Sequence, residues 1–261
     1  MQDKECKTPV RYCDDVYYIG TRYSPAWVLI NRDGSLTMID TAMPADLDHI
    51  LSGLDQLGLR AHDIAHIVHS HGHIDHIGCT RALVEMSGAT TYIGRGDEGS
   101  VRGENGLQYT NEFGMRYEGA FSPDVILEDG ECREIGGRPF TFLITPGHTQ
   151  GALTFFFPAH DGGREVRAGM FGGGGLKTME YAYLDRYGLP HSLRDDFLAA
   201  IDRVMGERVE LHLGNHLGDN AHYNKLSRVG TSPENPFVDT ATWSAFLTAR
   251  RAEAVAHFKE H

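Results

Sequence analysis

The residues able to do chemistry in this chain are crowded into one short stretch. His71-Gly72-His73-Ile74-Asp75-His76 sets three imidazoles and a carboxylate within six residues. It follows a short apolar run, residues 64–68, that reads as a buried strand. On extended backbone, side chains two apart point the same way, so His71 and His73 can grip one ion from one side. Where the chain then turns into a helix, Asp75 and His76 swing toward a neighbouring position. Imidazoles and a carboxylate packed this closely are costly unless something positive satisfies them. A borderline divalent ion such as Zn²⁺ accepts this mixture of nitrogen and oxygen donors.

The motif alone cannot close two coordination shells, so more ligands are expected downstream. Thr145-Pro146-Gly147-His148-Thr149-Gln150-Gly151 puts a histidine in a tight turn between two predicted strands. Leu211-His212-Leu213-Gly214-Asn215-His216 puts another just past a strand, where sites gather. His212 and His222 lie close enough in sequence to compete with His216 for that role.

HxHxDH, a TPGHTxG turn and a late histidine after a strand together resemble the metallo-β-lactamase superfamily. Residues 15–21 (Asp-Val-Tyr-Tyr-Ile-Gly-Thr) and Met38-Ile39-Asp40-Thr41 match the usual opening of that family. Asn235-Pro236-Phe237-Val238-Asp239, before the final helix, is most similar to the third, His/Asp-ligand subclass of metallo-β-lactamases. The resemblance implies a first ion on His71, His73 and His148 and a second on Asp75, His76 and His216. It also implies Asp40 as a supporting residue, a bridging metal-bound hydroxide as nucleophile, and Asp75 as the catalytic residue that orients it. One departure stands out. Most hydrolases of the superfamily carry a metal-bridging Asp after the strand that follows the TPGHTxG turn. Here that position reads Arg167-Ala168-Gly169-Met170-Phe171-Gly172-Gly173, with no donor side chain. The departure disfavours the lactonase, glyoxalase and flavodiiron branches, favours the third lactamase subclass, and leaves open a second site that loses its metal readily.

These residues need a scaffold. Strands are expected at 16–19, 26–30 and 35–39, the last two joined by an Arg32-Asp33-Gly34 turn. Leu47, Ile50, Leu51, Leu54 and Leu57 follow helical spacing within 45–59. A helix over 75–86 and a strand over 90–93 come next. Residues 94–122 are Gly-rich and polar, dotted with Tyr109, Phe113, Tyr117 and Phe121, and read as a long loop or lid. Its aromatics either cover substrate or pin the loop to the core. Tyr23 and Trp27 are candidates for the pocket rim. Strands are expected at 125–127, 132–135, 140–144, 153–157, 164–168 and 209–213, with helices over 193–205 and from about 240. The glycine run 172–175 lets backbone approach the metals or is a plain turn. His66 and His69 either support the motif or are ordinary strand residues. His49, His62, His160, His191, His257 and His261 have no motif around them. The order of elements gives an α/β fold, an αββα four-layer sandwich of two mixed β-sheets flanked by helices, as one domain over residues 1–261.

The 261 residues are 41% hydrophobic, enough for one sizeable core, and carry a net charge of −12. An acidic balance argues against a nucleic-acid binder. No apolar run approaches the ~18 residues of a membrane span, and the opening residues lack the apolar region of a secretory signal. The cytoplasm is the default, with a periplasmic or secreted place if a leader is missing from this chain. Four cysteines without a CxxC pair argue against a thiolate zinc knuckle, leaving a Cys6–Cys13 pair or free thiols. The expectation is therefore a zinc-dependent hydrolase with two Zn²⁺ per chain, opening an amide or ester bond of a small molecule, with β-lactams among the candidates. Alternatives are a lactone or thioester hydrolase of the same fold, an iron-dependent oxidoreductase, and a non-catalytic metal sensor.

Overall fold

The computed structural model describes residues 9–261; Cys6 lies outside them, and Cys13 is buried. The first sheet contains β1 (Val10–Arg11), β2 (Val16–Tyr18), β3 (Trp27–Ile30), β4 (Leu36–Ile39), β5 (Ile64–Val68), β6 (Thr90–Gly94) and β7 (Val125–Leu127), in that order across the sheet. Pairing is antiparallel up to β4 and parallel from β4 to β7. The second sheet contains β8 (Cys132–Ile135), β9 (Arg138–Ile144), β10 (Leu153–Asp161), β11 (Arg164–Phe171) and β12 (Leu211–His212). It is antiparallel except for the β11–β12 pair. The helices are α1 (Leu47–Gln56), α2 (Ile74–Ile77), α3 (Thr80–Ser87), α4 (Glu98–Val101), α5 (Tyr181–Tyr187), α6 (Leu193–Val204), α7 (His222–Leu226) and α8 (Thr242–Glu260).

The period-two alternation of the strands builds the layers. In β3, Trp27 and Leu29 face the second sheet, whereas Val28 faces outward with Ile50 and Leu54 of α1 and Leu83 of α3. In β10, Phe155 and Phe157 face inward and meet the first sheet. Phe156 faces outward, onto Phe197 and Ile201 of α6 and Trp243 and Leu247 of α8. Each large side chain so buried contributes about 1.5–3 kcal/mol. The result is the expected αββα sandwich, with Trp27 fully buried at its centre rather than at a pocket rim.

The helix expected over 75–86 is two helices. Gly78 donates its N–H to the Ala42 carbonyl at 2.8 Å instead of to its own helix, and a Cβ there would stand 2.4 Å from the Pro44 nitrogen. Most of residues 94–122 has no regular structure beyond α4. Tyr117 and Phe121 pack on Ile77, Ile93 and Val101, so this half of the segment is pinned to the core. The strand expected over 209–213 shrinks to Leu211–His212.

The residues before α8 are tied down by charge. Asp239 accepts hydrogen bonds from the Ala241 and Thr242 N–H groups at 2.8 and 2.7 Å, and meets the buried Lys225 ammonium at 2.6 Å. Burial opposes ionisation of Asp239, but Lys225 and Thr242 outweigh it and hold the carboxyl at about 2. Asp239→Ala strands the Lys225 charge and is expected to cost about 3 kcal/mol in denaturant unfolding, the low end for a buried pair because Asp239 is partly exposed. The carboxyl is depressed in the folded state, so its contribution is present above the ordinary carboxylate range and is lost as pH falls toward about 2. Acid titration of unfolding should show that loss in the wild type and not in Asp239→Ala.

Candidate metal centre

The site lies where β4, β5, β9 and β11 end at the same rim of the sandwich. Asp40, just past β4, has left-handed backbone (φ 58°), an uncommon conformation for a residue with a Cβ. Its carboxylate accepts from the Ser70 N–H and from the Ser70 hydroxyl, both at 2.7 Å, and from His76 Nδ1 at 2.8 Å. The Ser70 oxygen then accepts from His71 Nδ1 at 3.1 Å and from Asn215 Nδ2 at 2.9 Å. His148 Nδ1 donates to the Gly175 carbonyl at 2.8 Å, and His216 Nδ1 to the Tyr23 carbonyl at 3.1 Å. Carbonyls and carboxylates only accept, and the Ser70 hydroxyl proton goes to Asp40, so these Nδ1 atoms carry a proton and the Nε2 atoms of His71, His148 and His216 present lone pairs. The rings are set in ligand form by the protein itself.

Those lone pairs converge in two groups. The donor atoms of His71, His73 and His148 all lie within 4.8 Å of one another, with His71 Nε2 3.1 Å from His73 Nδ1. Asp75, His76 and His216 form the second group within the same limit. In it, Asp75 Oδ2 is 3.4 Å from His76 Nε2 and 3.7 Å from His216 Nε2. The groups adjoin, the His71 and His76 ring centres being 4.0 Å apart. All six residues singled out in the sequence therefore meet. His212 and His222 do not: His212 is buried against Trp243 and Phe246, and His222 is bonded to the Tyr12 hydroxyl.

The arrangement fits a pair of divalent cations. His76 Nε2 is buried without a hydrogen-bond partner, a costly state for an imidazole nitrogen unless a cation meets it. Burial holds His71 and His73 well below the usual histidine range, reinforced by neighbouring imidazoles, and brings His148 down to about 4. The first group is thus neutral and ready to bind. At His76 burial acts the same way, but Asp75 and Asp40 outweigh it and push the imidazole up to about 10. That pocket calls for positive charge, and an N/N/O donor set suits zinc.

Three further residues were not legible as parts of the site. Asp97, fully buried, accepts from the Gly72 N–H at 2.8 Å, the Thr149 hydroxyl at 2.7 Å and the Gly151 N–H at 2.8 Å. It thereby clamps the His71–His73 loop to the turn bearing His148. Ser70 and Asn215 link the ligand histidines to each other and to Gly173, whose N–H donates to Asn215 at 3.2 Å. The glycine run is a close approach: a Cβ on Gly173 would stand 2.6 Å from the His148 ring. Of the two neighbours of the motif, His69 is fully buried and holds the Tyr92 carbonyl and Thr80, while His66 bonds the Tyr92 hydroxyl.

A narrow cleft opens beside His73 and His148, lined further by Ser100, Leu107, Gln150, Tyr183 and Leu189. The Tyr109 ring lies 5.2 Å from that of His73, so the first half of the 94–122 segment reaches the site.

Comparison with known proteins gives the family and the fold. Residues 20–162 match the family model of the metallo-beta-lactamase superfamily, more than half of the chain. The chain belongs to that superfamily. Among curated relatives, the hydroxyacylglutathione hydrolase of Crocosphaera subtropica is 25% identical over 53% of this chain and 46% of its own. That of Serratia proteamaculans is 30% identical over 50% and 41%. The match spans about half the length of these relatives. Among solved structures, the FEZ-1 metallo-beta-lactamase of Legionella gormanii superposes with a TM-score of 0.87 at 23% identity, covering 97% of this chain and 96% of that one. BJP-1 of Bradyrhizobium japonicum, a subclass B3 metallo-beta-lactamase, gives 0.86 at 22% identity over 97% and 94%. These superpositions establish the fold. No helix among the described residues is long and apolar enough to cross a membrane.

Asp40 offers a test of the site's construction. Asp40→Ala frees His76 Nδ1 and the Ser70 hydroxyl, so the affinity of the Asp75, His76 and His216 group for a divalent cation should fall about 10–100-fold. Competition with a chromogenic chelator measures this; unchanged affinity would mean that Asp40 does not set the His76 ring.

Proposed function

We propose that this chain is a zinc-dependent hydrolase that opens an amide or ester bond of a small molecule, with the β-lactam amide as its substrate class. The observation that carries the reading is the donor set: two groups of three, sharing one rim, without a bridging carboxylate. Gly172 and Gly173 stand where that carboxylate is expected, and Gly173 lies against His148. This pattern is the one that the third lactamase subclass resembles and that the lactonase and glyoxalase branches lack.

His71, His73 and His148 would hold one ion, and Asp75, His76 and His216 the other. The pair would supply Lewis acidity and bring the pKa of a water toward neutrality. The chain supplies the rest. Asp40 and Ser70 fix the ring planes of His71 and His76. Asp75 points its carboxylate into the site and is held ionised, well below the usual carboxylate range, because His76 and His216 outweigh its burial. It can orient a water by accepting its proton in a hydrogen bond. Tyr109, Tyr183, Leu107 and Leu189 offer an aromatic and apolar wall for the part of the substrate that does not react.

A second reading rests on a separate finding. Several of the curated relatives, matched over about half of this chain, are hydroxyacylglutathione hydrolases, which favours a thioester as the scissile group. One screen separates the two: zinc-loaded protein against β-lactams, lactones and thioesters, repeated after chelation. Chelation-sensitive β-lactam turnover is expected. Thioester turnover alone would transfer the function to the second reading, and no turnover of any class would remove the hydrolase proposal.

A further inference from the structure

His257 lies in the last turn of α8 and His261 caps its end one turn on, its N–H bonded to the His257 carbonyl at 3.1 Å, so the two rings lie on one side. This is the spacing at which a helix presents two imidazoles to one metal ion. The same face meets Glu180, which stands immediately before α5. His257 Nε2 lies 3.1 Å from Glu180 Oε1, the His257 and His261 ring centres are 4.5 Å apart, and one donor atom from each of the three residues falls within 4.8 Å of the others. His257 Nε2 is shielded from solvent, yet its approach to Glu180 does not have hydrogen-bond alignment, so that nitrogen has no hydrogen-bond partner.

We propose that Glu180, His257 and His261 form a third divalent-cation site, separate from the six-ligand centre. Two imidazoles and one carboxylate select a borderline ion of the zinc, cobalt or nickel kind. Three protein ligands leave a fourth position to water. The overall charge favours a cation, the chain carrying a net −12, while the nearby Arg194 is held over Tyr181 and Phe258 and donates to the Phe258 carbonyl. His261 is exposed and His257 half-buried, which makes this site weaker than the central one.

Its place in the fold gives it a consequence. α5 begins directly after Glu180, and Tyr183 on α5 lines the cleft beside His73 and His148. An ion held by Glu180, His257 and His261 ties the end of α8 to this wall of the cleft.

Zinc titration of the full chain, read by native mass spectrometry and by thermal shift, tests the proposal. Wild type should bind one zinc ion more per chain than His261→Ala, and the part of the zinc-induced rise in Tm due to that ion should vanish in the variant. Glu180→Gln should lose the same ion, and the removal of one exposed ring in His261→Ala leaves the fold undisturbed. His148→Ala acts as the contrast: it should lose an ion from the central pair and keep the third. Equal zinc counts in wild type, His261→Ala and Glu180→Gln would overturn the proposal. Failure of the central site alone would appear in the His148→Ala comparison and leave the one-ion difference at His261 intact.

Discussion

Replacement of His73 by alanine, or of Asp75 by alanine, is expected to lower turnover by about 10³-fold or more while the protein stays folded. His73 is one of three donors in its group, and its Nδ1 stands 3.1 Å from His71 Nε2. Asp75 is the sole carboxylate among the six converging donors. Either loss removes charge stabilisation and nucleophile activation worth several kcal/mol, and each 1.36 kcal/mol is tenfold in rate. The fold survives because neither side chain belongs to the hydrophobic layers between the sheets or beneath the helices. Steady-state kinetics beside circular dichroism makes the comparison. Full activity in either variant would remove the proposed chemistry.

Asp97→Ala should be nearly as damaging, by another route. Its carboxylate is fully buried and serves three donors from two segments far apart in sequence, Gly72 on one side and Thr149 and Gly151 on the other. Alanine leaves the two backbone N–H groups and the Thr149 hydroxyl unsatisfied, each at about 1–3 kcal/mol. Partial relaxation brings the expected destabilisation to roughly 3–5 kcal/mol. The same change frees the His148 turn from the His71–His73 loop, so zinc affinity of the first group should fall together with stability. Chemical unfolding and zinc competition on the same preparation measure both. A variant that loses stability but keeps full zinc affinity would show that Asp97 holds the fold without positioning the ligands.

The contrast between these residues explains what could be read from the sequence. His71, His73, Asp75 and His76 are adjacent, and their spacing is itself the signal. His148 and His216 sit at strand ends in short motifs, where sequence context and fold order agree. Asp97, Ser70 and Asn215 act only through contacts across long stretches of chain, and a lone buried carboxylate after a strand carries no local mark of that role. The same limit broke the expected 75–86 helix. Gly78 leaves the helical pattern because Ala42 and Pro44 arrive from another strand end, which no periodicity encodes. Trp27 read as a rim residue because a tryptophan next to a predicted turn has an ambiguous fate, whereas the pleat places it inward with Leu29. His257 and His261 are four residues apart at the end of the final helix, but their third partner, Glu180, lies far off in sequence. The sheets were the most legible part, since alternation in β3 and β10 sorts side chains between layers without reference to anything distant.

Anomalous diffraction at the zinc absorption edge, from crystals grown with zinc, addresses the metal centre most directly. Two strong peaks are expected at the central site, apart from the weaker one proposed at Glu180, His257 and His261. One should be bounded by His71, His73 and His148, the other by Asp75, His76 and His216, with donors about 2.0–2.2 Å from each ion. No scattering among these six side chains, or an ion bound by the 71–76 stretch whose shell excludes both His148 and His216, would contradict the assignment of the site.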